Sequence, residues 1–162
     1  MLFGRQRRHV KRILIVEDEP LVAFDNEVMV EGAGYTVVAT VCDFDDALSV
    51  LTRELAPSPE DGSEDDQAAE RGIDLVLTDI TLSGERSGMD LAAEARRMGI
   101  PVLFATANPP DRENELALGV LLKPYNDRRL RAALKTVEQV LAGKAKVSVP
   151  EGMILFEPKA AA

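Results

Sequence analysis

Apolar positions along the chain alternate between two periodicities. Ile13-Leu14-Ile15-Val16 is a short, continuous apolar run. Such runs mark strands buried on both faces of a sheet. Leu21, Phe24 and Val28 then recur at i, i+3 and i+7, one face of a helix ending near Gly32 and Gly34. Tyr35 to Cys42 is rich in Val and Thr and predicts a second strand. Asp43 is placed to cap a helix carrying Phe44, Ala47, Leu48, Leu51 and Leu55 on one face. Ile73 to Thr78 predicts a third strand, and Leu91, Ala95 and Met98 a helix ending at Gly99. Pro101 to Ala105 predicts a fourth strand, Asp111 to Leu118 a short helix with little apolar face, and Gly119 to Leu122 a fifth strand. Asn126 caps a last helix with Leu130, Leu134, Val137 and Leu141 at helical spacing. Five strands alternating with five helices predict an α/β fold. Its core is a doubly wound five-stranded parallel sheet, order 2-1-3-4-5, with right-handed crossovers.

Three stretches fall outside this alternation. Residues 1–10 form a basic arm, with Arg5, Arg7 and Arg8 and no acid. It suits an acidic partner, an anionic lipid surface or a neighbour's acidic loop, or is a disordered leader with a solvated His9. Residues 56–72 hold six acids against the single Arg71, together with Pro57, Pro59 and Gly62, and read as a solvated loop inserted in the domain at 11–142. Residues 143–162 lose helical periodicity and read as a tail. The apolar run Met153-Ile154-Leu155-Phe156 within it is a liability unless docked.

Composition narrows the chemistry. The chain has 162 residues, enough to bury a core without disulfide or metal support. A net charge of -9 argues against nucleic-acid binding, because a phosphate backbone would be repelled. One cysteine, Cys42, excludes an internal disulfide and a cysteine-based zinc site, and it reads as a small buried apolar residue. One histidine leaves little for a His-dependent mechanism. No apolar run approaches a membrane span or a secretory signal, so the expected compartment is the cytoplasm.

The acids sit where such a sheet binds ligands. That place lies beyond the carboxyl ends of the strands, at the point where strand order reverses. The first strand ends in Glu17-Asp18 and the third in Asp79; the fourth and fifth end in Thr106 and Lys123. Three convergent carboxylates repel one another, and a hard divalent cation such as Mg²⁺ relieves that repulsion. A metal, the Lys123 ammonium and the Thr106 hydroxyl around one Asp suit phosphoryl transfer onto that Asp. Pro124 fixes the chain path just after the lysine.

These segments resemble the receiver domain of two-component response regulators. The pieces are Ile-Leu-Ile-Val-Glu-Asp-Glu at 13–19, Asp-Leu-Val-Leu-Thr-Asp-Ile at 74–80, Phe-Ala-Thr at 104–106 and Leu-Lys-Pro-Tyr at 122–125. The resemblance implies the flavodoxin-like receiver fold. It implies that Asp79 accepts a phosphoryl group from a sensor histidine kinase, with Thr106 and Lys123 on the phosphoryl oxygens. Glu17, Asp18, Asp79 and the Thr81 carbonyl would bind Mg²⁺. Thr81 and Asn108 occupy the positions that tune self-catalysed dephosphorylation. Phe104-Ala105-Thr106 is similar to the receiver subgroup with a Phe-Ala-Thr-Gly-Tyr signature, linked to stress signalling, although Ala107-Asn108 follows here. Receivers usually carry an aromatic three residues before the lysine, where this chain has Val120.

The expected function is a stand-alone, phosphorylation-dependent protein contact with a downstream protein or phosphotransferase, since twenty residues after 142 form no output domain. The alternatives are a phosphate sink or relay that drains a kinase, and an unphosphorylated interaction module. Tyr125 either acts beside the site or packs at the start of the last helix. A metabolic enzyme is disfavoured, because no His, Cys or Ser constellation is present.

Overall fold

The structure is a computed structural model that describes residues 8–55, 71–111 and 116–156. Its strands are β1 (Arg12–Val16), β2 (Thr36–Val41), β3 (Leu75–Thr78), β4 (Val102–Thr106), β5 (Gly119–Leu122) and β6 (Met153–Leu155). Its helices are α1 (Pro20–Gly32), α2 (Phe44–Leu55), α3 (Gly88–Arg97) and α4 (Asp127–Leu141). The strand order is β2-β1-β3-β4-β5-β6. The first five strands are parallel, and β6 joins β5 antiparallel.

The central strands are apolar throughout because both faces are covered. Every residue of β3 and β4 is buried. One face packs Leu14, Val76 and Phe104 against Leu51 of α2 and Leu91 of α3. The other packs Ile13, Leu77 and Leu103 against Val30 of α1 and Leu130 and Leu134 of α4. Each fully buried Leu or Ile contributes about 1.5–3 kcal/mol relative to exposure, so these two layers hold the sheet rigid. The caps follow the sequence. Asp43 Oδ1 accepts from Asp46 N at 2.8 Å, and Asn126 Oδ1 from Arg129 N at 2.9 Å. Ser87 and Asp90 form a reciprocal capping box at the start of α3.

Four expectations change. The sheet has six strands rather than five, because the apolar run at 153–156 docks on the β5 edge instead of hanging free. The described residues contain four helices; the one expected at Asp111–Leu118 falls partly on residues 112–115, outside the described set, and 116–118 are not helical. The Leu21, Phe24 and Val28 stripe faces outward, 81%, 64% and 54% exposed, while Asn26 and Val30 face inward. Periodicity shows that a helix has an apolar face but not which side meets the sheet. Cys42 is exposed, because it follows the end of the edge strand β2.

The amino-terminal arm is anchored where it is described. His9 N and Val10 N donate to the two Glu138 carboxylate oxygens at 2.9 and 2.7 Å, and the Arg8 guanidinium lies 5.4 Å from the Tyr35 ring centre. Arg5, Arg7 and residues 56–70 of the acidic segment lie outside the described residues. No helix among the described residues is long and apolar enough to cross a membrane.

Candidate functional site

β1 and β3 are neighbours, with Val16 opposite Thr78, so the residues that follow them emerge side by side. Asp79 N donates to Val16 O at 3.0 Å and Glu17 N to Val41 O at 2.9 Å, fixing both backbones. Carboxylate oxygens of Glu17, Asp18 and Asp79 all lie within 4.8 Å of one another. Lys123 follows β5, two strands away, and its long side chain crosses the end of β4. Its Nζ donates to Glu17 Oε2 and to Asp79 Oδ2, both at 2.7 Å. The remaining oxygens have weaker partners. Thr81 N donates to Asp79 Oδ1 at 3.2 Å, Glu19 N to Glu17 Oε1 at 3.3 Å, and Ser83 Oγ to Asp18 Oδ2 at 3.5 Å.

Burial sets the electrostatics. Glu17 is only 2% exposed. That burial raises its carboxyl above the usual range, and the Lys123 hydrogen bond and charge offset the rise only in part. Burial also works against the Lys123 charge, but the hydrogen bonds and charges of Asp79 and Glu17 outweigh it and hold the ammonium above its ordinary value. The site therefore keeps a fixed cation between two carboxylates.

Thr106 is buried at the end of β4, and its carbonyl accepts from Lys123 N at 3.0 Å. Its hydroxyl is turned into its own loop, where it accepts from Asn108 N at 3.2 Å. The structure thus brings Glu17, Asp18, Asp79 and Lys123 into contact, adds Thr81 through its backbone, and holds Thr106 alongside. The donor set is all oxygen, the three carboxylates of Glu17, Asp18 and Asp79, and it fits a hard cation such as Mg²⁺. Among the described residues a second group, Cys42, Asp43 and Asp46, comes equally close, but Asp43 is already capping α2.

Tyr125 lies two residues beyond Lys123 and reaches α1. Its hydroxyl donates to Asn26 Oδ1 at 2.6 Å, and Asn26 is 2% exposed. Burial pushes the phenol from the ordinary 10.0 to about 12. Below pH 10 the phenol is protonated in both folded and unfolded chains and stability does not depend on it. Between about 10 and 12 the unfolded chain releases a proton that the folded chain keeps, so stability falls as pH rises, by about 2–3 kcal/mol over the window. An absorbance titration of the native chain is expected to show phenolate forming near 12, with both tyrosines returning to about 10 in urea. A native titration in which both ionise at the ordinary value would contradict the buried bond. Tyr125→Phe is expected to cost about 1–3 kcal/mol, since it leaves the Asn26 acceptor buried and unpaired.

The model of the response regulator receiver domain matches residues 13–135, three-quarters of the chain. The chain belongs to the response regulator receiver family. Similar curated proteins include the phyllosphere-induced regulator PhyR of Methylorubrum extorquens, 33% identical over 60% of this receiver and 31% of that protein. Another is the probable C4-dicarboxylate response regulator DctR of Halalkalibacterium halodurans, 30% identical over 80% of this chain and 52% of the relative. This chain spans about a third to a half of the length of those relatives. The PhyR structure from Brucella abortus is 30% identical, with a TM-score of 0.62 over 85% of this chain and 51% of that one. A receiver domain of an HD-domain protein from Pseudomonas fluorescens, 20% identical with a TM-score of 0.65 over 88% and 97%, shares the fold.

Three residues of this receiver site escaped the sequence reading. Ser83 gave no signal. Asn26 sits between Asp25 and Glu27, so nothing in the sequence marks it as buried. Gly88 packs so close beneath Asp79 that a Cβ there would stand 1.9 Å from the Asp79 carbonyl oxygen. Ser87 and Asp90, a Ser-x-x-Asp capping pattern, mark the start of that helix in the sequence.

Proposed function

We propose that this receiver accepts a phosphoryl group on Asp79 from the phosphohistidine of a sensor histidine kinase, in a Mg²⁺-dependent reaction, and signals through a protein contact that depends on that group. The observation that carries the reading is the Lys123 ammonium held 2.7 Å from Asp79 Oδ2 and Glu17 Oε2. In the transfer the N–P bond of the donor breaks and an O–P bond forms to an Asp79 oxygen. The histidine leaves with the electron pair, and a proton restores its neutral ring. Lys123 moves from the carboxylates to a phosphoryl oxygen and balances its charge. The Thr106 hydroxyl leaves its loop and donates to a second phosphoryl oxygen. Glu17, Asp18 and Asp79, with the Thr81 carbonyl, would hold Mg²⁺, which supplies positive charge to the transferring group. Water later cleaves the acyl phosphate, with Thr81 and Asn108 bordering its approach.

The exposed apolar stripe of α1 flanks this site and suits the kinase contact, because Leu21, Phe24 and Val28 form a single outward row. A cytoplasmic location fits such a partner. A place in stress signalling follows the Phe-Ala-Thr likeness and the PhyR relatives, one of which, from Bartonella quintana, is described as an anti-anti-sigma factor.

Intact-mass measurement after incubation with Mg²⁺ and a small phosphodonor tests the reading, repeated with a panel of kinases. One added phosphoryl group is expected, lost in Asp79→Asn and lost on chelation. No adduct from any donor would leave the fold serving as an unphosphorylated interaction module.

A further inference from the structure

The carboxyl-terminal strand is the least expected part of this receiver, and it is attached to the strand that carries Lys123. β6 pairs with β5 through Gly119–Leu155, Val120–Ile154 and Leu121–Met153. The pairing is extended at both ends: Phe156 N donates to Leu118 O at 3.0 Å, and Leu122 N donates to Gly152 O at 2.7 Å. Leu122 immediately precedes Lys123, whose own N–H donates to Thr106 O. The backbone therefore runs in consecutive hydrogen bonds from the tail, through β5, to the end of β4. Phe156 is buried beside Val120 and meets the Phe104 ring edge-on, with centres 6.5 Å apart. Phe104 lies two residues before Thr106, on the same strand.

The strand is also weakly held. It has three residues, forms the sheet edge and buries only Met153 and, just beyond it, Phe156. Short edge elements with few buried side chains open first. Its connection runs back along α4, where Thr136 Oγ1 donates to Ser148 O at 2.6 Å. That contact keeps an opened strand tethered nearby.

We infer that residues 150–156 are a detachable strand whose docking is coupled to the occupancy of Asp79. The inference rests on phosphoryl capture at that residue. When Lys123 and Thr106 turn to the phosphoryl oxygens, the ends of β5 and β4 shift toward the crevice. The Leu122–Gly152 bond, nearest to Lys123, is the first to be strained. Release bares the β5 edge and the slot that Phe156 fills, so that the receiver presents a different surface in its two states.

Hydrogen exchange on the full chain, read by mass spectrometry, tests this beside the intact-mass count on the same samples. With Mg²⁺ and phosphodonor, the segment 150–156 is expected to exchange at least about tenfold faster, a coupling of about 1.4 kcal/mol, while α3 is unchanged. Gly119→Ala supplies the detached limit, because its Cβ would stand 2.4 Å from Ile154 O. A phosphorylated chain with unchanged tail exchange overturns the inference and leaves the phosphoacceptor reading intact. If no donor, the panel of kinases included, gives an adduct, the phosphoacceptor reading fails and this inference falls with it.

Discussion

Lys123→Ala is expected to slow phosphorylation of Asp79 by about 10²–10³-fold while tightening Mg²⁺ binding. The two effects go in opposite directions because the ammonium has two roles. In the proposed transfer it would balance charge on a phosphoryl oxygen, and loss of one such preorganised group costs about that factor. In the resting state it holds Glu17 Oε2 and Asp79 Oδ2, two oxygens of the same carboxylate cluster that would bind the cation. Without the ammonium, the metal no longer competes for them. Stability without metal is expected to fall by about 2–3 kcal/mol, less than the ~3–5 kcal/mol for breaking a fully buried pair. Lys123 retains some exposure, so water takes over part of the lost pairing. Urea unfolding with and without chelator, a Mg²⁺ titration and the rate of adduct formation measure the three effects. Phosphorylation at the parent rate would remove Lys123 from the transfer step. Weaker Mg²⁺ binding would refute the competition.

The site was legible in the sequence because the fold is legible at the strands. Continuous apolar runs at 13–16 and 75–77 require cover on both faces, which makes the strands parallel and places their ends together. Glu17, Asp18 and Asp79 then had to converge, and Lys123 was the cation within reach. Legibility failed where a pattern has two physical outcomes. The α1 stripe could face in or out, and it faces out because the inner side is held by Val30 and by the Asn26 bond to Tyr125, a partner 99 residues away. Met153 to Leu155 is too short to show a period, so only the unpaired β5 edge explains it. Thr106 shows a further limit: sequence placed the residue at its strand end, but not the hydroxyl, which a local turn with Asn108 has claimed. Gly88 was unreadable because its reason is a backbone approach from another element.

That approach makes Gly88→Ala the most damaging single-atom change expected near the site. An added Cβ would stand 1.9 Å from Asp79 O and 2.9 Å from both Asp79 C and Ile80 Cα. All three are backbone atoms at the end of a buried strand, so no side chain can turn away. The start of α3 must lift, and the bond from Gly88 N to Ile80 O, 2.7 Å, is lost with it. Overpacking a close-packed contact costs about 1–3 kcal/mol, and a collision with backbone belongs at the upper end, about 3 kcal/mol. The displaced atoms belong to Asp79 itself. A misplacement of about 1 Å at a reacting group costs about 10²-fold in rate, so phosphorylation is expected to fall by that factor even in chains that stay folded. Gly84→Ala is the informative comparison. Gly84 has φ +92° with nothing within 4 Å of a Cβ, so alanine there is strained but touches nothing. It is expected to cost about 1–2 kcal/mol in a thermal melt and to leave the phosphorylation rate unchanged. If both variants slowed phosphorylation alike, the loss would track stability, and the contact beneath Asp79 would have no separate role in positioning it.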